Sequence, residues 1–164
     1  MAKKLREKSP TGYYHVTLRG NGRQIIFEDD EDRKTFLRLL SDAVDLFGAR
    51  VIAWCLMSNH VHVVIDDPND EISAIVHRFA FTYAQHFNNK SGHVGALFQG
   101  RFHSVPIMSE EQLLQTVRYI HDNPVRAGIS AADKYPWSSF SEYTGDTLRQ
   151  MSDVSVVLEL LGGK

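Results

Sequence analysis

Cysteine is almost missing from this chain. Of 164 residues only Cys55 carries a thiol, so no disulfide can close within the chain and no cysteine-rich zinc site can be built. Any metal would have to rest on His, carboxylate or amide groups. Long apolar runs are missing too: none approaches the roughly 20 residues that span a bilayer, and the opening MAKKLREKSP has no apolar stretch of a secretory signal. The expectation is a cytoplasmic protein with no membrane partner. No repeat, low-complexity tract or Pro/Gly/Ser-rich linker divides the sequence. GxSxG, Walker and GxGxxG patterns are absent as well, which removes three common catalytic and nucleotide-binding plans. What remains, 43% hydrophobic and 10% aromatic, suits one domain over 1–164, with a basic arm at 1–12 and a tail or short helix at 144–164.

Net charge is also small, at −2, but it is unevenly spread. Residues 1–27 hold six cations, Lys3, Lys4, Arg6, Lys8, Arg19 and Arg23, against Glu7 alone. Residues 28–71 reverse the sign, with Glu28, Asp29, Asp30, Glu31 and Asp32 in one run. Residues 72–128 are mildly basic and hold five of the eight His. A basic arm and a His-rich middle suit a polyanion, with the acidic run facing elsewhere or solvated on a helix.

Periodicity supplies the elements. Tyr13 to Arg19 reads as a strand ended by Gly20-Asn21-Gly22, and Asp30 to Phe47 as an amphipathic helix stopped by Gly48. Val51 to Met57 and His60 to Ile65 form a hairpin around Ser58-Asn59. Glu71 to about Phe87 has helical spacing before a loop at Asn88 to Gly92, and Arg101 to Met108 reads as a fourth strand. Ser109 with Gln112 opens a last core helix through Ile120. This order predicts an α+β fold, a ferredoxin-like antiparallel sheet with helices packed on one face. The apolar stretch Val154 to Leu161 is expected either to fold back on the core or to serve as a dimer helix.

Two pairs of residues carry candidate chemistry. His60 and His62 alternate along a strand, so both rings leave one face and can share a divalent ion. Spacing alone does not separate that pair from two half-exposed strand histidines. Tyr119 and Asn123 lie one helical turn apart, which suits a nucleophile beside a metal ligand. The same spacing suits a core aromatic followed by an Asn that ends the helix before Pro124. Tyr13, Tyr14, Tyr83, Tyr135 and Tyr143 read as packing residues, and Cys55 as a buried small side chain.

Taken together, Met57-Ser58-Asn59-His60-Val61-His62-Val63-Val64, Phe98-Gln99-Gly100-Arg101-Phe102 and Arg118-Tyr119-Ile120-His121-Asp122-Asn123-Pro124-Val125-Arg126-Ala127-Gly128 resemble the single-tyrosine HUH transposases. The REP-associated tyrosine transposases are the branch they resemble most. The resemblance runs from about Tyr13 to Tyr143. It implies that His60 and His62 bind Mg²⁺ or Mn²⁺, that Asn123 is a third ligand, and that Tyr119 is the nucleophile. Insertion-sequence members carry Gln at the position of Asn123, whereas the REP-associated branch carries Asn as this chain does, and the family often has Trp where this chain has Phe98.

The implied activity is cleavage and rejoining of single-stranded DNA near hairpins through a 5′-phosphotyrosine link, by a monomer or a homodimer. Lys3, Lys4, Arg6, Lys8, Arg19, Arg23, Arg101 and Arg126 are then candidate phosphate contacts, and Phe98 and Phe102 candidate stacking surfaces. The competing reading is a hairpin-binding regulatory protein on the same fold that no longer cleaves. An RNA-binding α+β module is a third, and it would need no histidine pair.

Overall fold

A computed structural model of the chain describes residues 7–145 and 150–162. Four strands, β1 (Tyr13–Arg19), β2 (Arg50–Leu56), β3 (His60–Asp66) and β4 (His103–Pro106), form one antiparallel sheet in the order β2-β3-β1-β4. With α1 (Asp30–Leu46) between β1 and β2 and α2 (Ile72–Ser91) between β3 and β4, this is the ferredoxin-like arrangement. Helices α3 (Glu110–His121), α4 (Asn123–Arg126), α5 (Phe140–Thr144) and α6 (Ser155–Leu160) follow.

Strand alternation sends two sets of side chains to two faces. Val16, Leu18, Trp54, Leu56, Val61, Val63 and Ile65 join Phe36, Leu40, Ile75, Phe79 and Tyr83 of α1 and α2 in the larger core. Cys55, Ala53 and Val64 point the other way and meet Leu113, Val117 and Ile120 of α3. This corrects the expectation of helices on one face only: α1 and α2 cover one face, and α3 lies on the other. The strands themselves demanded it, because β2 and β3 are buried along almost their whole length and so need cover on both sides.

Local chemistry explains the element ends. Asp29 caps α1 by accepting from the Asp32 N–H at 2.9 Å. Ser109 caps α3 by accepting from Gln112 N–H at 3.1 Å. The loop expected at Asn88 to Gly92 is instead the last turn of α2, which ends on Gly92 in the left-handed region at φ 75°. Asn88 and Ser91 bond within or just beyond that turn, to Gly95 and Phe87 carbonyls, so polar composition mimicked a loop. The fourth strand is shorter than expected, four residues from His103 to Pro106.

The acidic run is partly tied down. Asp32 is fully buried and accepts from Glu28 N–H, His86 Nε2 and Lys90 Nζ, which lashes the start of α1 to the end of α2. The tail folds back: Val157 of α6 is buried beside Leu113 and Val117. The buried Glu142 carboxylate accepts from Trp54 Nε1 at 2.8 Å and from the N–H groups of Met151 and Ser152. These bonds fasten the chain's end against β2.

Candidate active site

The second face of the sheet is only half covered. Helix α3 lies over β2 and β3, and the polar residues gather on the β3–β1 side, where Arg19 is exposed, His15 and His60 are half-buried, and Thr17 and His62 are buried. Pairing of β1 with β3 sets Thr17 opposite His62 and Arg19 opposite His60, so His15, Thr17, Arg19, His60 and His62 share this face. The His60 and His62 rings lie edge to face, with centroids 5.2 Å apart.

Each imidazole has an anchored edge. His60 Nδ1 is 2.8 Å from Asn59 Oδ1, while the Asn59 amide nitrogen donates to the Arg23 carbonyl, so the oxygen faces His60 and accepts its Nδ1–H. The His60 lone pair is thereby left on Nε2. Asn123, buried at the start of α4, has its carboxamide within hydrogen-bonding reach of His60. His62 is 4% exposed, and its Nδ1 lies 3.0 Å from His15 Nε2 and 3.3 Å from Thr17 Oγ1. Burial pushes His62 down to about 3 and His15 to about 4, and lowers His60 against the opposing pull of Asn123. All three rings are therefore neutral at pH 7, the form in which an imidazole offers a lone pair to a cation.

Tyr119 stands over this group. Its ring centroid is 5.7 Å from that of His62 and 6.1 Å from that of His15, both edge to face. The guanidinium of Arg126 lies 3.8 Å from the Tyr119 centroid, a close cation–π stack. Tyr119 is 43% exposed, and the other five tyrosines have their hydroxyls committed. Tyr83, Tyr135 and Tyr143 donate to the carbonyls of Ile26, Leu56 and Ile52, Tyr14 accepts from Ser9 N–H, and Tyr13 bonds Arg50. The arrangement offers neutral nitrogen donors, an amide and an accessible phenol within one cluster. Among the described residues no group of three or more His, Cys, Asp or Glu is placed to share a metal ion, so any cation here would also need the Asn123 amide or external oxygens.

The family model for "Transposase IS200 like" matches residues 8–123, well over half of the sequence. The chain belongs to the IS200-like transposase family. Among solved structures, a REP-associated tyrosine transposase bound to a REP hairpin aligns with a TM-score of 0.73 at 19% identity, covering 94% of this chain and 93% of that one. A putative transposase from Deinococcus radiodurans R1 aligns with a TM-score of 0.50, also at 19% identity, over 79% of this chain and 99% of that one. Both likenesses are of fold. No curated protein matches the chain in sequence.

The sequence-derived site residues divide by location. His60, His62, Tyr119, Asn123 and Arg126 come together. Arg19 and Arg23 line a polar cleft of about 250 Å³ with Asn59 and Gln99, adjoining His60. Arg101 lines a second cleft, of about 310 Å³, with Arg19, Gln99 and Phe102. Phe98 and Phe102 lean on the larger core, Phe98 against Tyr83 at 6.4 Å, so their rings are only partly available. Lys8 precedes the Tyr13 end of β1, opposite the Arg19 end, and lies 4.0 Å from Asp70. Lys3, Lys4 and Arg6 fall outside the described residues.

His15, Thr17 and Asn59 were not singled out as functional residues. For His15 and Thr17 the signal was present in β1 alternation, since they stand four and two residues before an exposed Arg19. What the sequence alone could not supply was the register that sets them against His62.

Proposed function

We propose that this chain cleaves and rejoins single-stranded DNA beside hairpins, with Tyr119 as the nucleophile and a 5′-phosphotyrosine intermediate. The observation that carries the reading is the placement of Tyr119, the exposed tyrosine of the chain, edge to face with His62 of the His60/His62 pair. Family membership and the hairpin held by a structural neighbour support DNA of this kind as the substrate.

The donor set fits a divalent cation. Two neutral imidazoles and an amide oxygen, from His60, His62 and Asn123, suit Mn²⁺ better than the harder Mg²⁺, with phosphate oxygens and water completing the shell. A bound cation would offset charge developing on the scissile phosphate. The protein's own groups do the rest. Arg19, Arg23 and Arg101 line two polar clefts, one of them reaching Asn59 beside His60, and would hold the backbone, while Arg126 stacks on the Tyr119 ring and adds positive charge beside the phosphate.

In the reaction, the Tyr119 oxygen forms a bond to phosphorus and the bond from phosphorus to O3′ breaks. The phenol loses its proton and the departing O3′ gains one. Phosphodiester energy is retained in the tyrosyl link, so attack by a 3′-hydroxyl rejoins strands without ATP. All four central residues come from one chain, so the reading requires no second copy.

Incubation with Mn²⁺ and a labelled single-stranded hairpin, followed by denaturing electrophoresis and peptide mass spectrometry, tests this. A covalent adduct on Tyr119, absent in Tyr119→Phe, is the expected result. An adduct on another tyrosine, or one that persists in Tyr119→Phe, overturns the assignment. Tight hairpin binding with no adduct would convert the reading to a non-cleaving regulatory binder.

A further inference from the structure

The two imidazoles of the pair are oriented in different ways. For His60 the partner is an amide oxygen, which only accepts, so the proton must sit on Nδ1 and the lone pair on Nε2. For His62 the partner is another imidazole, His15, whose Nε2 is 3.0 Å from His62 Nδ1. That contact permits two states. In one, His62 donates from Nδ1 and keeps its lone pair on Nε2. In the other, His15 donates and the lone pair of His62 is turned into the sheet toward β1, where no shared cation can reach it.

We propose that His15 is a positioning residue of the site, accepting the Nδ1–H of His62 and so holding the His62 lone pair on Nε2. Three features of the site accord with this state. His62 Nδ1 faces the β1 strand, within 3.3 Å of both His15 and Thr17, and is thereby closed to any external ligand. The Thr17 hydroxyl can accept from the same N–H, so both neighbours are compatible with it. His15 also contacts Tyr119 edge to face, so the ring that orients one candidate ligand borders the nucleophile as well. Partners of this kind set tautomer and ring angle, and their loss typically weakens metal binding by about 10- to 100-fold.

The inference rests on the cation-binding reading above, but it can be tested without a cation. In metal-free protein labelled with ¹⁵N-histidine, long-range ¹H–¹⁵N correlation spectra report which ring nitrogen carries the proton. His62 is expected to be protonated at Nδ1 in the wild type, in Thr17→Val and in His15→Gln, whose amide oxygen also accepts. His15→Ala is expected to lose that preference and to weaken Mn²⁺ binding, followed by electron paramagnetic resonance, about tenfold. His62 protonated at Nε2 in the wild type overturns the proposal. So does an unchanged His62 in His15→Ala, or a Thr17→Val variant that reproduces the loss. If no His60-dependent Mn²⁺ binding occurs in the wild type, the cation reading fails while the tautomer data still decide the role of His15.

Discussion

The two faces of the sheet are built from alternate residues of the same strands, yet they are finished differently. Against α1 and α2, Phe36, Phe79, Tyr83 and Phe27 interlock edge to face around a sealed apolar core. On the opposite face, α3 seals only the β2 half with Leu113, Val117 and Ile120 and leaves His15, His60 and His62 beside an exposed Tyr119. One face therefore holds the fold together while the other gathers His15, His60, His62 and Tyr119 into one polar cluster, and period-two alternation allows both at once.

The largest expected effect tests that division directly. Phe36→Ala, at a fully buried position of the sealed face, should cost about 3–5 kcal/mol in urea denaturation. His62→Ala, whose buried ring sits among polar groups rather than in the aromatic core, should cost less, about 1–3 kcal/mol, while abolishing Mn²⁺-dependent adduct formation. Equal destabilisation by both would break the comparison.

Acid should act through the α3 side. Burial pushes His121, bonded to Ser139 Oγ at 2.7 Å, down to about 4, whereas an unfolded His titrates near 6.5. The unfolded chain therefore binds a proton between those values that the folded chain does not. Stability is full above pH 6.5 and falls as pH drops toward 4, with His121 contributing at most about 1.4 kcal/mol per pH unit. His62, pushed to about 3, acts in the same direction. His121→Gln should flatten the fall in urea midpoint between pH 6.5 and 5; an unchanged slope would assign the acid sensitivity elsewhere.

Smaller effects sharpen the picture of the open face. Removing the cation above Tyr119 with Arg126→Ala should slow adduct formation about fivefold, the equivalent of about 1 kcal/mol, with little change in thermal midpoint. Arg19→Ala and Arg23→Ala should each lower the log–log salt slope of hairpin binding by about 0.7. Lys8→Ala, at the other end of the seven-residue β1, should lower it less. Equal slopes for all three would place the hairpin along the whole strand.

Much of this was legible in the residues. Period-two runs and hairpin chemistry gave β1, β2 and β3 nearly to the residue, and the His60/His62 and Tyr119/Asn123 spacings gave the pairs that meet in space. The resemblance chose between their two readings, which spacing left open. The covering of the second face was obscured because an α3 stripe of Leu113, Val117 and Ile120 says that a helix packs, not on which side. The last turn of α2 was hidden because Asn88, Asn89, Lys90 and Ser91 have loop composition, whereas the stop is set by the backbone angle at Gly92. The contact of His15 with His62 could not be read from β1 alternation alone, because it joins positions 47 residues apart.

The commitment of the other five tyrosine hydroxyls also has a use at the bench. Phenol-directed reagents such as tetranitromethane need access to a ring, and four of these hydroxyls are bonded to main-chain groups while Tyr13 bonds Arg50. Tyr119 is the ring such a reagent meets first. A single nitration would install a coloured, titrating probe beside His62 and Arg126 without changing a codon, and its absorbance would report whether a hairpin or a divalent cation reaches this site.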